Sequence, residues 1–341
     1  LWDRVPPEVE PFSPDNLLIF GTGLLCGTPA PSANRTIVST YSPETLLMAF
    51  SMMGGFWAPE LKFAGYDKVI IRGKSPNLVY LWIHNDKVEI RDASHLQGKG
   101  TLETEELIRQ ELKEPKAQVA SIGLAGENRG YLASIQHSRS SASRLGVGAV
   151  MGDKNLKAIA VRGTKDVNIA RPAEFMELCD KVRKYMDHRQ KNPLPLEHVW
   201  ERLYQYLGNR EMTECIEKWH MNMFAKGHGQ ERIKDFYTPD IEEKWNETHK
   251  KRVERLVGCY NCPIGCVGQV LHPDLEHRYL LKCSEHVRYV AAARSDNLDF
   301  GFKIACLSDE YGLDGFAAPY VIAFGVELYE AGILTDKDMP G

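Results

Sequence analysis

The chain has 341 residues, of which 43% are hydrophobic and 26% charged, and its formal net charge is -4. This length suits two globular domains, and this composition excludes a disordered or fibrous protein. A pI near 6.3 gives no electrostatic footprint for DNA or RNA, so we expect no nucleic-acid partner. The longest apolar stretch, Leu46 to Pro59, is interrupted by Ser51 and a glycine pair and is too short to span a bilayer.

The first part of the chain is predicted to be rich in β-strands. Short apolar or β-branched runs between Gly, Pro and Asn predict strands at 16–21, 35–41, 68–73, 79–83, 87–90, 119–122 and 156–161. Thr101 is predicted to cap a helix that runs to Leu112, with Glu103 and Glu105 in its first turn.

After Lys165 the pattern changes to helices. Pro172 suits a helix start, and further helical segments are predicted at 202–207, 212–219, 241–255, 302–311 and 320–331. The sequence therefore predicts an α+β fold. A strand-rich domain is expected at 1–168 and a mostly helical domain at 169–341.

Three of the eight cysteines, Cys259, Cys262 and Cys266, are separated by two and then three residues, a spacing that can turn three thiolates toward one point. Thiolates are soft ligands that select zinc or iron–sulfur clusters. This spacing occurs in [4Fe–4S] proteins, whereas structural zinc more often has a second close pair of ligands. The motif favours an iron–sulfur cluster in a reducing compartment, which we expect to be the cytoplasm. Zinc and simple packing of buried cysteines are the alternatives.

Two stretches of the strand-rich part suit a bulky phosphate-bearing ligand. Gly54 and Gly55 would let the backbone approach such a ligand closely. Ser140 and Ser141 offer hydroxyls for a phosphate, and Arg35 is a candidate cation. The alternative is that these side chains are only solvated, as exposed arginines usually are.

The stretch Asp309–Asp314 is predicted to end a helix, with Gly312 as the stop. Its two aspartates either accept hydrogen bonds from a ring rich in N–H donors or are solvated acids. Glu211 and Cys215 share a helical face, with His220 about one turn further on. These three side chains can hold zinc or position a proton donor, although most such histidines do neither. Cys283 is either a metal ligand or an inert core residue.

Together these residues resemble the tungsten-containing aldehyde ferredoxin oxidoreductase family, along essentially the whole chain. The motifs that carry the resemblance are Arg35, the run from Gly54 to Asp67, Gly126-Glu127-Asn128, the run from Gly146 to Ala158, the Cys259–Cys266 motif and Asp309-x-x-Gly312-Leu313-Asp314. One departure is Met52-Met53, where the family often has Asn-Ser before the double glycine.

The resemblance implies a tungsten bis-pyranopterin cofactor (tungstopterin), a magnesium ion bridging the two pterin phosphates, and a [4Fe–4S] cluster. One pterin would be contacted by Arg35, Gly54, Gly55, Ser140 and Ser141, and the other by Asp309, Gly312, Leu313 and Asp314. Cys259, Cys262 and Cys266 would be three cluster ligands. The fourth cysteine and the third domain of the family would lie beyond Gly341.

Within the family the likeness is closer to the class II benzoyl-CoA reductases. It is carried by residues 1–7, 138–144, 217–220, 282–283 and 312–316. This branch implies a catalytic tungstopterin subunit that reduces an aromatic acyl-CoA to a cyclic dienoyl-CoA. A small iron–sulfur subunit and a ferredoxin-type donor would supply electrons in a hetero-oligomer. The alternatives are an aldehyde:ferredoxin oxidoreductase that forms carboxylic acids and a non-enzymatic electron carrier, which would need no glycine-rich cradle.

The branch also implies roles for individual side chains. The Cys283 thiolate would bind tungsten, and His220 would donate a proton near the metal. A zinc ion would be held by Glu211, position 215 and His220. We expect His at that middle position and find Cys215, which weakens the prediction of zinc but leaves the tungsten site unchanged.

Overall fold

The computed structural model describes residues 4–6, 8–138, 140–189, 239–263, 265, 267–282, 285–293 and 295–338. The first of two compact units comprises Leu1–Tyr185, Gly258–Gly265 and Ser308–Asp314. The second comprises Met186–Val257, Cys266–Leu307 and Gly315–Gly341. The two domains predicted from the sequence are continuous, whereas these units interleave, and both short segments of the first unit carry predicted site residues.

The first unit contains an antiparallel sheet of four strands in the order β3-β2-β1-β4. Its strands are β1 (Leu18–Thr22), β2 (Thr36–Tyr41), β3 (Met48–Met53) and β4 (Lys68–Ile71). Side chains of β3 alternate between exposed and buried, as the two-residue period of a strand requires. This strand lies inside the apolar stretch at 46–59 and was not predicted.

The same unit contains a six-stranded sheet in the order β6-β5-β10-β7-β8-β9. Its strands are β5 (Val79–His84), β6 (Lys87–Asp92), β7 (Gln118–Ser121), β8 (Ile135–His137), β9 (Ser140–Ala142) and β10 (Leu156–Arg162). The β5–β10 pair is parallel and the other pairs are antiparallel. Every residue of β10 from Leu156 to Val161 is buried, which is typical of a strand covered on both faces.

The α-helices of this unit are α1 (Trp57–Phe63), α2 (Thr101–Leu112), α3 (Leu124–Glu127), α4 (Val147–Asp153) and most of α5 (Pro172–Arg189), which continues past the end of the unit at Tyr185. Trp57 of α1 is fully buried, lies 5.4 Å from the ring of Phe20 and donates from Nε1 to Ile159 O at 3.0 Å. The predicted bounds of α2 are confirmed. The prediction that Thr101 caps this helix is wrong, because Gly100 is the N-cap and Thr101 is the first helical residue.

The described residues of the second unit include three complete helices: α6 (Pro239–Arg252), α7 (Glu285–Ala293) and α9 (Ala318–Glu330). Helix α8 (Leu298–Tyr311) begins in this unit, and its last turn belongs to the first unit. An antiparallel sheet of β11 (Val253–Val257), β12 (Val267–Leu271) and β13 (Arg278–Lys282) was not predicted. The helix predicted at 241–255 ends at Arg252, and strand β11 begins at the next residue. No described helix has the length and hydropathy needed to cross a membrane.

A buried ion pair in the first unit holds the loop that leads into α2. The Lys157 side chain on β10 is fully buried and pairs with Glu127 at the end of α3. Lys157 Nζ also donates to Lys99 O at 2.7 Å, and Gly98 N donates to Glu127 Oε2 at 2.9 Å. Burial lowers the pKa of Lys157, and the Glu127 carboxylate opposes that shift. Both members of the pair therefore fasten the backbone just before Thr101.

We expect Lys157→Met to lower the free energy of unfolding by about 3–5 kcal/mol, because it leaves the largely buried Glu127 carboxylate without its cation. The control is Lys99→Met, which removes only the surface pair between Lys99 and Glu103 and should cost less than about 1 kcal/mol. Urea unfolding of the full-length protein measures both. Equal urea midpoints of unfolding for Lys157→Met and Lys99→Met would contradict the prediction.

Candidate cofactor site

The double-glycine loop follows strand β3, and Gly54 and Gly55 are both buried. Gly54 N donates to Ser140 Oγ on β9 at 2.7 Å, and Phe56 N donates to His137 Nε2 on β8 at 3.1 Å. His137 Nδ1 lies 2.9 Å from a backbone carbonyl oxygen of β7, so Nδ1 carries the proton and Nε2 accepts. The β8–β9 hairpin thus fixes the backbone of this loop.

The cysteine motif packs against the same loop. Tyr260 N donates to Gly55 O at 3.1 Å, and the Tyr260 ring meets the Phe56 ring edge-on at 5.8 Å. A Cβ atom on Gly54 would lie 2.8 Å from Cys259 Sγ, closer than such atoms approach each other in proteins. Glycine at position 54 therefore leaves the space that the Cys259 sulfur occupies.

A segment before strand β2 holds the other side of the motif. Ser32 N donates to Asn261 O at 3.1 Å, and Asn34 Nδ2 donates to Tyr260 O at 3.0 Å. Ser32 Oγ lies 3.2 Å from Cys262 Sγ. Two of the three predicted cluster ligands, Cys259 and Cys262, are thus held within the first compact unit.

Arg35 lies between that segment and strand β2, and it is exposed. Its backbone carbonyl lies 3.5 Å from the sulfur of the buried Cys26 thiol, which also has Ala33 O as an acceptor at 3.3 Å. Burial raises the pKa of Cys26, which keeps this thiol protonated as a donor. Among the described residues the Arg35 guanidinium has no hydrogen bond or ion pair, so an anion can bind to it while its backbone stays anchored.

The stretch Asp309–Asp314 docks onto the first unit through its backbone. Thr101 Oγ1 donates to Asp309 O at 2.9 Å, and Asp314 N donates to Leu132 O at 2.9 Å. Gly312 has φ +72° and follows the last residue of α8, which confirms it as the helix stop. The aspartates are only 8% and 4% exposed, so their position is fixed by the fold.

Most of the predicted site belongs to the first unit. The residues concerned are Arg35, Gly54, Gly55, Ser140, Ser141, Cys259, Cys262, Asp309, Gly312, Leu313 and Asp314. Glu211, Cys215, His220, Cys266 and Cys283 lie outside the described residues. Only two of the three predicted cluster cysteines are therefore described, and the described part of the chain holds no group of three potential metal ligands.

The described residues fit a cluster and a phosphate-bearing cofactor in their chemistry. Cys259 and Cys262 supply soft thiolates, and the space at Gly54 that a Cβ would fill admits the Cys259 sulfur. Ser140 Oγ accepts from Gly54, which leaves its own hydroxyl hydrogen for an anion. Arg35 adds a positive charge next to the segment that holds the cysteine motif.

Sequence reasoning missed Ser32, Asn34 and His137, which position the motif and the glycine loop. Ser32 and Cys262 are 230 residues apart, so no local pattern links them. Asn34 adjoins the predicted Arg35, and His137 lies shortly before Ser140. The short distance in sequence from a predicted ligand was the only indication available that Asn34 and His137 belong to the site.

Comparison with known proteins places the chain in a family. Residues 1–163 match the family model of the aldehyde ferredoxin oxidoreductase N-terminal domain, and residues 196–341 match domains 2 and 3 of the same family. The chain belongs to the aldehyde ferredoxin oxidoreductase family. The predicted family and the α+β fold class are thus confirmed.

Two curated relatives show the range of the family. The chain is 36% identical over 354 residues to the tungsten-containing aldehyde ferredoxin oxidoreductase of Pyrococcus abyssi, covering 100% of this chain and 54% of the relative. It is 32% identical over 367 residues to the aliphatic sulfonate oxidoreductase, WOR-like subunit, of Pyrococcus furiosus, covering 97% and 53%. The chain spans about half the length of the curated relatives it matches.

A solved structure is more similar. The active-site complex BamBC of benzoyl coenzyme A reductase, bound to 1,5-dienoyl-CoA, contains a chain with 57% sequence identity and a TM-score of 0.89. The match covers 100% of this chain and 52% of that chain. The branch predicted from the sequence motifs agrees with this match.

If the cysteine motif binds the predicted cluster, Gly54→Ala should lower the iron content, because its methyl group displaces the Cys259 sulfur. Overpacking at this buried position should also cost about 1–3 kcal/mol of stability. Gly325→Ala is the control, since a Cβ at Gly325 on α9 meets nothing within 4 Å. Iron per chain and the unfolding midpoint measure both effects, and unchanged iron in Gly54→Ala would refute the assigned role.

Proposed function

We propose that this chain belongs to the catalytic tungstopterin subunit of an enzyme that reduces an aromatic acyl-CoA to a cyclic dienoyl-CoA. The observation that carries the proposal is the 57% identity, over the whole chain, to a benzoyl coenzyme A reductase complex holding a dienoyl-CoA. The reaction adds two electrons and two protons to the aromatic ring of the thioester.

Several residues of the first unit would hold the cofactors of this reaction. Cys259 and Cys262, together with Cys266, would ligate a [4Fe–4S] cluster, which supplies one-electron transfer. The pterin groups and their magnesium ion would be held by Arg35, Gly54, Gly55, Ser140, Ser141, Asp309, Gly312, Leu313 and Asp314. The buried backbone contacts of the glycine loop and of the Asp309–Asp314 stretch would keep this cradle rigid.

The proton and the metal thiolate are assigned to residues outside the described part of the chain. His220 would protonate the ring as a general acid. Cys283 would provide a thiolate to tungsten, and a thiolate is a soft donor that raises electron density on a metal. Glu211 and Cys215 would hold an auxiliary zinc ion beside His220.

The proposed partners follow from the same likeness. An acyl-CoA would be the substrate, and a small iron–sulfur subunit fed by a ferredoxin-type donor would form a hetero-oligomer with this subunit. The cytoplasm is the proposed compartment, because thiolate ligands need reducing conditions.

An aldehyde ferredoxin oxidoreductase activity is the second candidate, since curated relatives of that name are 36% identical. The two functions are separated by assaying the full-length protein with benzoyl-CoA and with a simple aldehyde, using one low-potential donor. Dienoyl-CoA formation without aldehyde oxidation supports the proposal. Aldehyde oxidation without turnover of benzoyl-CoA would contradict the proposal and support the second candidate.

Cys262→Ser should remove the cluster absorbance and abolish electron delivery, because a serine hydroxyl replaces a soft ligand. Cys179→Ala is the matched control, since Cys179 is a buried cysteine on α5 that has no assigned cofactor role. Iron content, visible absorbance and turnover are measured for both. A Cys262→Ser protein with full iron and normal turnover would exclude the cluster assignment.

His220→Ala should lower the turnover number by roughly two to four orders of magnitude, as expected for a general acid. Tungsten content should stay at the wild-type level. A loss of tungsten in this variant would make His220 a structural residue or a ligand instead. Wild-type turnover would remove it from the site.

A further inference from the structure

Ser32 has a backbone conformation that its residue type rarely adopts. Its φ is +59°, in the left-handed region that favours glycine and asparagine. In this conformation its N–H donates to Asn261 O at 3.1 Å, and its Oγ lies 3.2 Å from Cys262 Sγ. The backbone and the side chain of one residue thus contact two successive residues of the cysteine motif.

The surrounding segment fixes this contact. Asn34 Oδ1 accepts from Gly27 N at 2.9 Å, while its Nδ2 donates to Tyr260 O. The Asn261 side chain donates to Pro29 O. These bonds tie the segment to the cysteine motif on both sides of Ser32, so the fold fixes the backbone that carries the hydroxyl.

A thiolate that ligates a metal has no hydrogen, so Ser32 Oγ is the donor in this hydrogen bond. The bond becomes more favourable when a cluster gains an electron, because the reduced cluster carries more negative charge on its sulfur ligands. Hydrogen bonds to the sulfurs are among the factors that set the reduction potential of an iron–sulfur cluster.

We propose that the Ser32 hydroxyl raises the reduction potential of the cluster ligated by Cys262. The inference rests on the proposed function, which supplies the cluster. The process is the uptake of one electron from the small iron–sulfur subunit, which a ferredoxin-type donor reduces. The Ser32 proton stays on its oxygen, so no proton is transferred. Ser32 is a positioning and tuning residue, since it acts on the cluster through Cys262.

The test uses Ser32→Gly in the full-length enzyme, because glycine tolerates φ +59° and lacks the hydroxyl. A potentiometric titration followed by electron paramagnetic resonance should show a lower midpoint potential. We expect about a tenfold change in the ratio of reduced to oxidised cluster, or about 59 mV for a one-electron couple. Ser32→Ala should shift the midpoint in the same direction.

The control is Thr28→Val, which removes a hydroxyl from the same segment. Thr28 Oγ1 donates to Leu25 O at 2.7 Å and accepts from Ala30 N at 3.3 Å, and neither partner is sulfur, so its loss should leave the midpoint unchanged. Hyperfine spectroscopy in D₂O adds a second readout: an exchangeable deuteron coupled to the wild-type cluster should be missing in Ser32→Gly. An unmoved midpoint with an intact cluster would overturn the tuning role alone. A wild-type protein without a cluster would overturn both this role and the proposed function.

Discussion

Two short segments from the second half of the chain, 258–265 and 308–314, complete the unit built by residues 1–185. Both are fastened by backbone hydrogen bonds, such as Tyr260 N to Gly55 O and Asp314 N to Leu132 O, and by bonds from side chains, such as Asn34 Nδ2 to Tyr260 O. Backbone groups in such positions must be satisfied, and here they are satisfied by remote partners. The placement of every described candidate ligand on these segments depends on that docking.

Close approach of other atoms to the backbone explains two of the glycines near the site. Gly54 makes room for a sulfur, and Gly123 lies so near the Tyr311 backbone that a side chain would overlap it. Around these contacts the fully buried Lys157 is paired with Glu127. Rigid support of this kind favours a cofactor-binding role, because a cofactor gains its orientation and its electrostatic environment from the protein.

The sequence predicted those elements whose signals are local. The end of helix α2 at Leu112 was predicted although its N-cap was not, and Gly312 was predicted as the stop of α8 because glycine readily takes a positive φ. Strand β3 was missed because Met48, Phe50 and Met52 are apolar although exposed, which hides the alternation that marks a strand. Among the site residues, those in compact motifs were predicted. Ser32 and His137 were not, because their partners become neighbours only in the folded chain.

The interleaving of the first unit has a consequence for biosynthesis. Pairs such as Thr101 with Asp309 are separated by 208 residues, and contacts at such separations slow folding because a long loop must close first. Domains fold as they emerge during synthesis, starting from the N-terminus. The contacts at Gly54 and Thr101 therefore cannot all form in residues 1–185 until the chain has emerged from the ribosome as far as Asp314. Insertion of a cofactor that needs both segments falls after that point.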